Sequence, residues 1–206
     1  MTDSLDSYRK KRDLSGTPEP GGGGSDSGPG RRFVIQEHAA SSHHFDLRLE
    51  LDGVLKSWAV PKGPSTDPRD KRLAVPTEDH PLEYADFEGV IPEGQYGAGA
   101  VIVWDAGTWR NLKEDEDGQA VPLADQLAAG HATFWLEGRK ISGGYALQRI
   151  GEGDDERWLL VKMDDDEADA RRNPVSTEPR SVKSGRTVEE VAEGEGDAAD
   201  DDEEHA

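Results

Sequence analysis

Of the 37 Leu, Ile, Val and Phe residues in this chain, 31 fall between Arg31 and Met163, and the other 73 positions hold six. A hydrophobic interior can therefore be built only from residues 31–163. A stretch of roughly 130 residues lies within the usual size of one domain. The chain divides accordingly. Residues 1–30 end in PEPGGGGSDSGPG, which reads as a flexible linker. Residues 31–163 carry the core. From Asp164 onward there are 16 acidic and five basic residues and no aromatic, the composition of an acidic disordered tail over 164–206.

The charge follows the same division. The formal net charge is -20, of which the tail holds -11, the core -8 and the first 30 residues -1. A uniformly acidic surface would repel a polyanion, which argues against a sequence-blind nucleic-acid coat and against a basic membrane-surface protein. The absence of cysteine excludes disulfides, thiolate metal sites and cysteine nucleophiles. No apolar run approaches a membrane span, and the polar start MTDSLDSYRKKRD lacks the apolar stretch of a signal peptide, so a cytoplasmic protein is expected.

Within the core, short apolar runs are separated by Gly, Pro and Asp clusters, which predicts strands at 33–38, 45–51, 54–58, 72–75, 100–105, 132–137, 145–149 and 158–163. About eight short strands with few short helices suggest an all-β barrel or sandwich. Asp52-Gly53 suits a two-residue type I′ turn joining the second and third strands. The best helix candidate is 123–129, stopped by Gly130.

The chemistry concentrates in FVIQEHAASSHHFDLRLEL, residues 33–51. Strand alternation puts His44, Asp46, Arg48 and Glu50 on one face and Phe45, Leu47, Leu49 and Leu51 on the other. If the connection at 39–43 folds the two strands into an antiparallel pair, His38 comes near His44 and Asp46, with Gln36 two residues upstream. Two imidazoles and a carboxylate on neighbouring strands suit a divalent transition metal, and zinc, cobalt or iron fit the donor types equally. Beside them Arg48 could hold two oxygens of a phosphate. His43 points the other way and reads as a loop residue. In TEDHPLEY, His80 precedes Pro81 and Tyr84 follows; this imidazole either serves a leaving oxygen or belongs to a surface turn over a buried tyrosine.

The run RFVIQEHAASSHHFDLRLELDGVLKSWAVPKGPS, followed by RLAVPTEDHPLEYADFEGVIPEGQYGAGAVIVWDAGTW, resembles the 3′-phosphoesterase domain of bacterial ligase D and its free-standing bacterial and archaeal relatives, over about residues 8–163. The resemblance implies a compact β-barrel of manganese dependence that processes 3′ ends in DNA repair by end joining. It implies removal of a 3′-terminal ribonucleoside and then of the 3′-phosphate left behind. Carried over, it makes His38, His44 and Asp46 the metal ligands. Arg48 and His80 would contact the reacting phosphate, and Gln36, Arg72, Glu78 and Tyr84 would support the site. YRKKRDLSGTPEP resembles the family's N-terminal block and adds Arg12, Asp13 and Glu19, with residues 8–20 expected to pack across the site when substrate or metal is present. Expected partners are DNA or RNA-tailed DNA 3′ ends together with an end-joining ligase, a polymerase and end-binding proteins. The protein itself is expected to be a monomer and not membrane-bound.

Two other classes share these residues. A non-haem iron oxygenase would use His44, Asp46 and either His80 or His131, leaving Gln36, His38 and Arg48 idle. A non-enzymatic adaptor of the repair assembly would work through the acidic tail and would not need His44.

Overall fold

The structure, a computed structural model, describes residues 4–22, 31–151 and 153–194. Nine antiparallel strands form one sheet: β1 (Arg32–Ala39), β2 (His43–Leu51), β3 (Val54–Val60), β4 (Arg72–His80), β5 (Gly89–Ile91), β6 (Gly99–Asn111), β7 (His131–Gly138), β8 (Ser142–Arg149) and β9 (Trp158–Lys162). The order β1-β2-β3-β4-β9-β8-β7-β6 closes on itself through β1–β6 pairing, giving an eight-stranded barrel. The ninth strand, β5, lies outside the circuit on the first residues of β6. Short helices α1 (Asp6–Lys10), α2 (Leu123–Ala128), α3 (Pro174–Thr177) and α4 (Val188–Gly194) and 3-10 turns at Leu82–Asp86 and Gly153–Asp155 complete the elements of the described residues. No helix among the described residues is long and apolar enough to cross a membrane.

Local chemistry explains the circuit. Asp52 and Gly53 both adopt positive φ, 52° and 82°, between the paired Leu51 and Val54, so β2 and β3 meet in the type I′ turn their sequence favours. In β6 the register slips: Ile35 faces Asp105 while Gln36 faces Val103, leaving Trp104 as an extra residue. This bulge turns the Trp104 indole into the barrel and keeps Val101 and Val103 on the outside. The interior draws apolar side chains from all eight barrel strands, among them Phe33, Leu47, Trp58, Phe134, Tyr145 and Leu160. A second apolar layer lies outside β1, β3 and β6, where Val34, Leu55, Val101 and Val103 meet Tyr8 of the N-terminal arm and Leu82, Tyr84 and Phe87.

The acidic stretch is not a disordered tail through its described length. Residues 164–194 fold back on the barrel, and α4 buries Val188 and Val191 against Ala100 and Ile102. Buried donors of the barrel reach the backbone carbonyls of this stretch. The Trp104 indole and the Lys140 ammonium donate to the Glu178 carbonyl at 2.8 Å each, and the Thr66 hydroxyl donates to those of Asp169 and Arg172 at 2.8 and 2.9 Å. Composition misjudged it because two valines, a row of carbonyls and the Asp165 carboxylate, paired with buried Lys162 at 2.6 Å, anchor it. Residues 195–206 and the Gly-rich positions 23–30 lie outside the described residues.

Candidate metal and phosphate site

The site sits on the outer face of the barrel. In the β1–β2 register His38 faces His44, Gln36 faces Asp46 and Val34 faces Arg48, so the outward-pointing residues of two strands converge. The connection between them is three residues, shorter than expected, because pairing continues to Ala39 and His43. His43 accordingly opens β2 and is not a loop residue; its imidazole bonds Glu37 at 2.7 Å, away from the cluster.

His38, His44 and Asp46 present one ligand atom each within 4.8 Å of one another. Their orientation is imposed from behind. His38 donates from Nε2 to the Gly97 carbonyl at 2.7 Å and His44 donates from Nδ1 to the Ser42 carbonyl at 2.8 Å. These bonds leave the lone pairs of His38 Nδ1 and His44 Nε2 facing the Asp46 carboxylate at 3.8 and 3.5 Å. Backbone carbonyls that fix the tautomer of each imidazole are the supporting shell a metal-ligating histidine requires. Burial alone would raise the Asp46 carboxyl, but the adjacent Arg48 charge holds it well below the usual carboxylate range. The donor set therefore fits a divalent metal.

Arg48 is buried beside them. Its Nε donates to Gln36 Oε1 at 2.7 Å and its Nη2 to Asp46 at 3.1 Å, while Nη1 is buried with no hydrogen-bond partner among the described residues. Gln36 in turn donates to the carbonyls of Tyr84 and Phe87 at 2.8 and 3.0 Å, tying the guanidinium to the covering layer.

That layer carries a second guanidinium. Arg12, on the arm, donates to Glu19 and Glu78 at 2.8 Å each and stacks 4.0 Å over the Tyr8 ring. Glu19 also accepts from the Tyr84 hydroxyl at 3.0 Å. Residues 8–20 thus lie across the site, pinned by buried ion pairs. His80 sits beneath Arg12: its Nδ1 donates to the Glu78 carbonyl at 2.8 Å, so Nε2 accepts from Arg12 at 3.3 Å. Burial, then the Arg48 and Arg12 charges, push this imidazole well below its ordinary 6.5. A neutral His80 that accepts from Arg12 positions that guanidinium.

A cavity of about 230 Å³ joins these parts, lined by Arg12, His38, His44, Asp46, Arg48 and Glu78 among others. A larger cleft of about 440 Å³ between Val34, Val103 and Val182 contains no cluster of metal-ligating side chains. Five expected residues do not line the cavity: Gln36, Glu19 and His80 bond Arg48 and Arg12, which do, while Arg72 and Asp13 engage other partners. Arg72 lies toward β9 with Asp70 at 3.5 Å, and the Asp13 carboxylate is engaged by Ser15 in a local turn at 2.6 Å. The His131 of the oxygenase alternative is exposed on β7, and neither it nor His80 joins the ligand cluster.

Thr77 and Tyr96 line the cavity unforeseen. Thr77 was missed because Pro76 and Pro81 suggest that the strand ends early, whereas β4 runs through to His80. Its hydroxyl is buried without a hydrogen-bond partner among the described residues.

Comparison with known proteins gives the architecture a lineage. The family described as the DNA ligase D 3′-phosphoesterase domain matches residues 36–149. The multifunctional non-homologous end joining protein LigD of Pseudomonas aeruginosa is 50% identical over 189 residues, covering 89% of this chain and 22% of that protein. LigD of Mycobacterium tuberculosis is 48% identical over 164 residues, with 79% and 20% covered, and that of Mycolicibacterium smegmatis 44% over 167, with 80% and 21% covered. The chain thus spans about a fifth of the length of these relatives. The matched segment starts at Gln36 and contains His38, His44 and Asp46 together with the Glu78–Tyr84 cover, and on that ground the chain belongs to the DNA ligase D 3′-phosphoesterase domain family.

Proposed function

We propose that this protein is a metal-dependent 3′-end-processing phosphoesterase of DNA end joining. It takes a 3′-terminal ribonucleoside off a strand and then removes the remaining 3′-phosphate, leaving a hydroxyl that a ligase can use. The observation that carries this reading is the buried, unpartnered Arg48 Nη1 beside the His38, His44 and Asp46 cluster. A buried cationic donor without an acceptor is costly, and a phosphate oxygen is the acceptor that the setting suits. His38, His44 and Asp46 would hold the metal, manganese in this reading, and a divalent ion there supplies Lewis-acid polarisation of a phosphoryl oxygen.

The chain's own residues do the rest. Arg48, fixed by Gln36 and Asp46, offers Nη1 to one phosphate oxygen and neutralises charge as it grows. Arg12, held by Glu19, Glu78 and the acceptor nitrogen of His80, presents positive charge to the same cavity. Tyr84, whose hydroxyl burial pushes well above its ordinary 10, keeps its proton and donates to Glu19. DNA or RNA-tailed DNA 3′ ends are the substrates, and a ligase, a polymerase and end-binding proteins the functional partners.

Incubation of the purified protein with manganese and a DNA primer ending in one ribonucleotide should yield first a shortened 3′-phosphate strand and then a 3′-hydroxyl strand. If neither product forms with any divalent metal, the reading is wrong.

A further inference from the structure

We propose that Tyr96 is a stacking platform for the nucleobase at the 3′ end of the substrate strand, an inference that rests on the phosphoesterase reading of the cavity it borders. The cavity, about 230 Å³, is below the roughly 300 Å³ at which small-molecule pockets begin. It suits a phosphate and part of a sugar, and the base attached to that sugar must lie at the rim. Tyr96 is at that rim. Among the described residues the exposed large hydrophobic side chains are Leu73, Tyr96, Ile150 and Met163; only Tyr96 is aromatic and only Tyr96 lines this cavity.

Its placement is rigid. Two successive tight turns form the loop before β6, closed by Gln95 N–H to the Pro92 carbonyl and Ala98 N–H to the Gln95 carbonyl, both at 3.2 Å. Gly94 and Gly97 occupy the third position of each turn with φ of 84° and 76°, where a left-handed residue is required. Tyr96 therefore projects from the second position of a turn whose next carbonyl, that of Gly97, orients His38. One backbone segment sets both a candidate metal ligand and the ring. A tyrosine so held has little freedom to lose on stacking.

The charge of the molecule gives the ring its importance. With -8 on the core, the excess of acidic groups opposes a polyanionic strand, whereas stacking on a π face does not depend on net charge. The competing role for Tyr96 is to clamp the arm, since Lys11 and Arg12 both lie 5.1 Å from its ring centroid. Yet the residue remains 46% exposed with those contacts made.

The probe is a strand ending in 2-aminopurine ribonucleoside through a non-hydrolysable methylphosphonate, paired with a matched strand whose terminal sugar is abasic. Wild-type protein should quench the 2-aminopurine on binding. Tyr96→Leu, which keeps apolar contact without a π face, should abolish the quench and weaken binding of the base-bearing end roughly 5- to 100-fold. The abasic end should bind both proteins equally, and Tyr96→Trp should restore quench and affinity. The proposal is overturned if wild type gives no quench, if Tyr96→Leu retains it, or if the variant weakens both ends alike, which is the clamp's signature. Should Tyr96→Leu unfold, Tyr96→Trp against wild type still decides, because a platform deepens the quench with the larger ring and a clamp leaves it absent. Quench without turnover at any metal sinks the phosphoesterase reading alone; turnover without quench sinks the platform alone.

Discussion

The barrel interior and the layer outside β1 and β2 are both buried, but they are built differently. The interior is almost wholly apolar, drawn from every barrel strand. The outer layer interleaves Val34, Leu55, Tyr8 and Tyr84 with buried Gln36, Asp46, Arg48, Glu19 and His80; Gln36 and Asp46 bond Arg48, and Glu19 and His80 bond Arg12. The same two strands serve both, since successive side chains alternate faces. Stability and chemistry are thereby divided by the parity of residue number.

Adjacent residues break the comparison most sharply. Asp46→Asn is nearly isosteric and should lower turnover at least 10²–10³-fold, the scale of losing one preorganised electrostatic group, with the barrel intact by circular dichroism. Leu47→Ala should instead cost about 2–5 kcal/mol in denaturant unfolding and leave turnover per folded molecule unchanged. A barrel that melts with Asp46→Asn, or chemistry that fails with Leu47→Ala while folded, would void the parity rule. A smaller effect is expected at Glu19→Gln, which weakens the buried clamp on Arg12: turnover falls roughly 10–100-fold through misplacement of that guanidinium, and limited proteolysis cuts the arm first.

The smallest effect is a pH slope. Unfolded His80 takes up a proton near 6.5, whereas the folded residue resists because burial and two arginines oppose it. Its contribution to stability is therefore complete above about pH 6.5 and declines below, by at most about 1.4 kcal/mol per pH unit. His80→Gln should flatten the difference in unfolding midpoints between about pH 7.5 and pH 5.5 relative to wild type. An unchanged difference would mean that His80 is charged in the fold.

The strands, the Asp52-Gly53 turn and the convergence of His38 with His44 and Asp46 follow from alternation and turn chemistry, which act over a few neighbours. What escaped was set by distant contacts. β5 has three residues, too few to show a period. The acidic stretch is held through carbonyls that every residue type possesses. Arg12 lies 66 positions from Glu78 and gains meaning only by resemblance, as do Arg72 and Asp13, which do not line the cavity. Tyr96 stood in plain view between glycines, but only closure of the loop onto His38 brings it to the cavity.

The arm joins no strand among the described residues; Tyr8, Arg12 and Glu19 attach it by side-chain contacts. A segment attached that way is held by proximity, and its occupancy of the site is set by the local concentration that covalent linkage confers. Deleting residues 1–22 should leave a folded barrel with one guanidinium missing from its cavity wall, and a free peptide of residues 4–22 should restore turnover in a saturable manner. Part of the reaction centre is in that sense a removable subunit carried on the same chain.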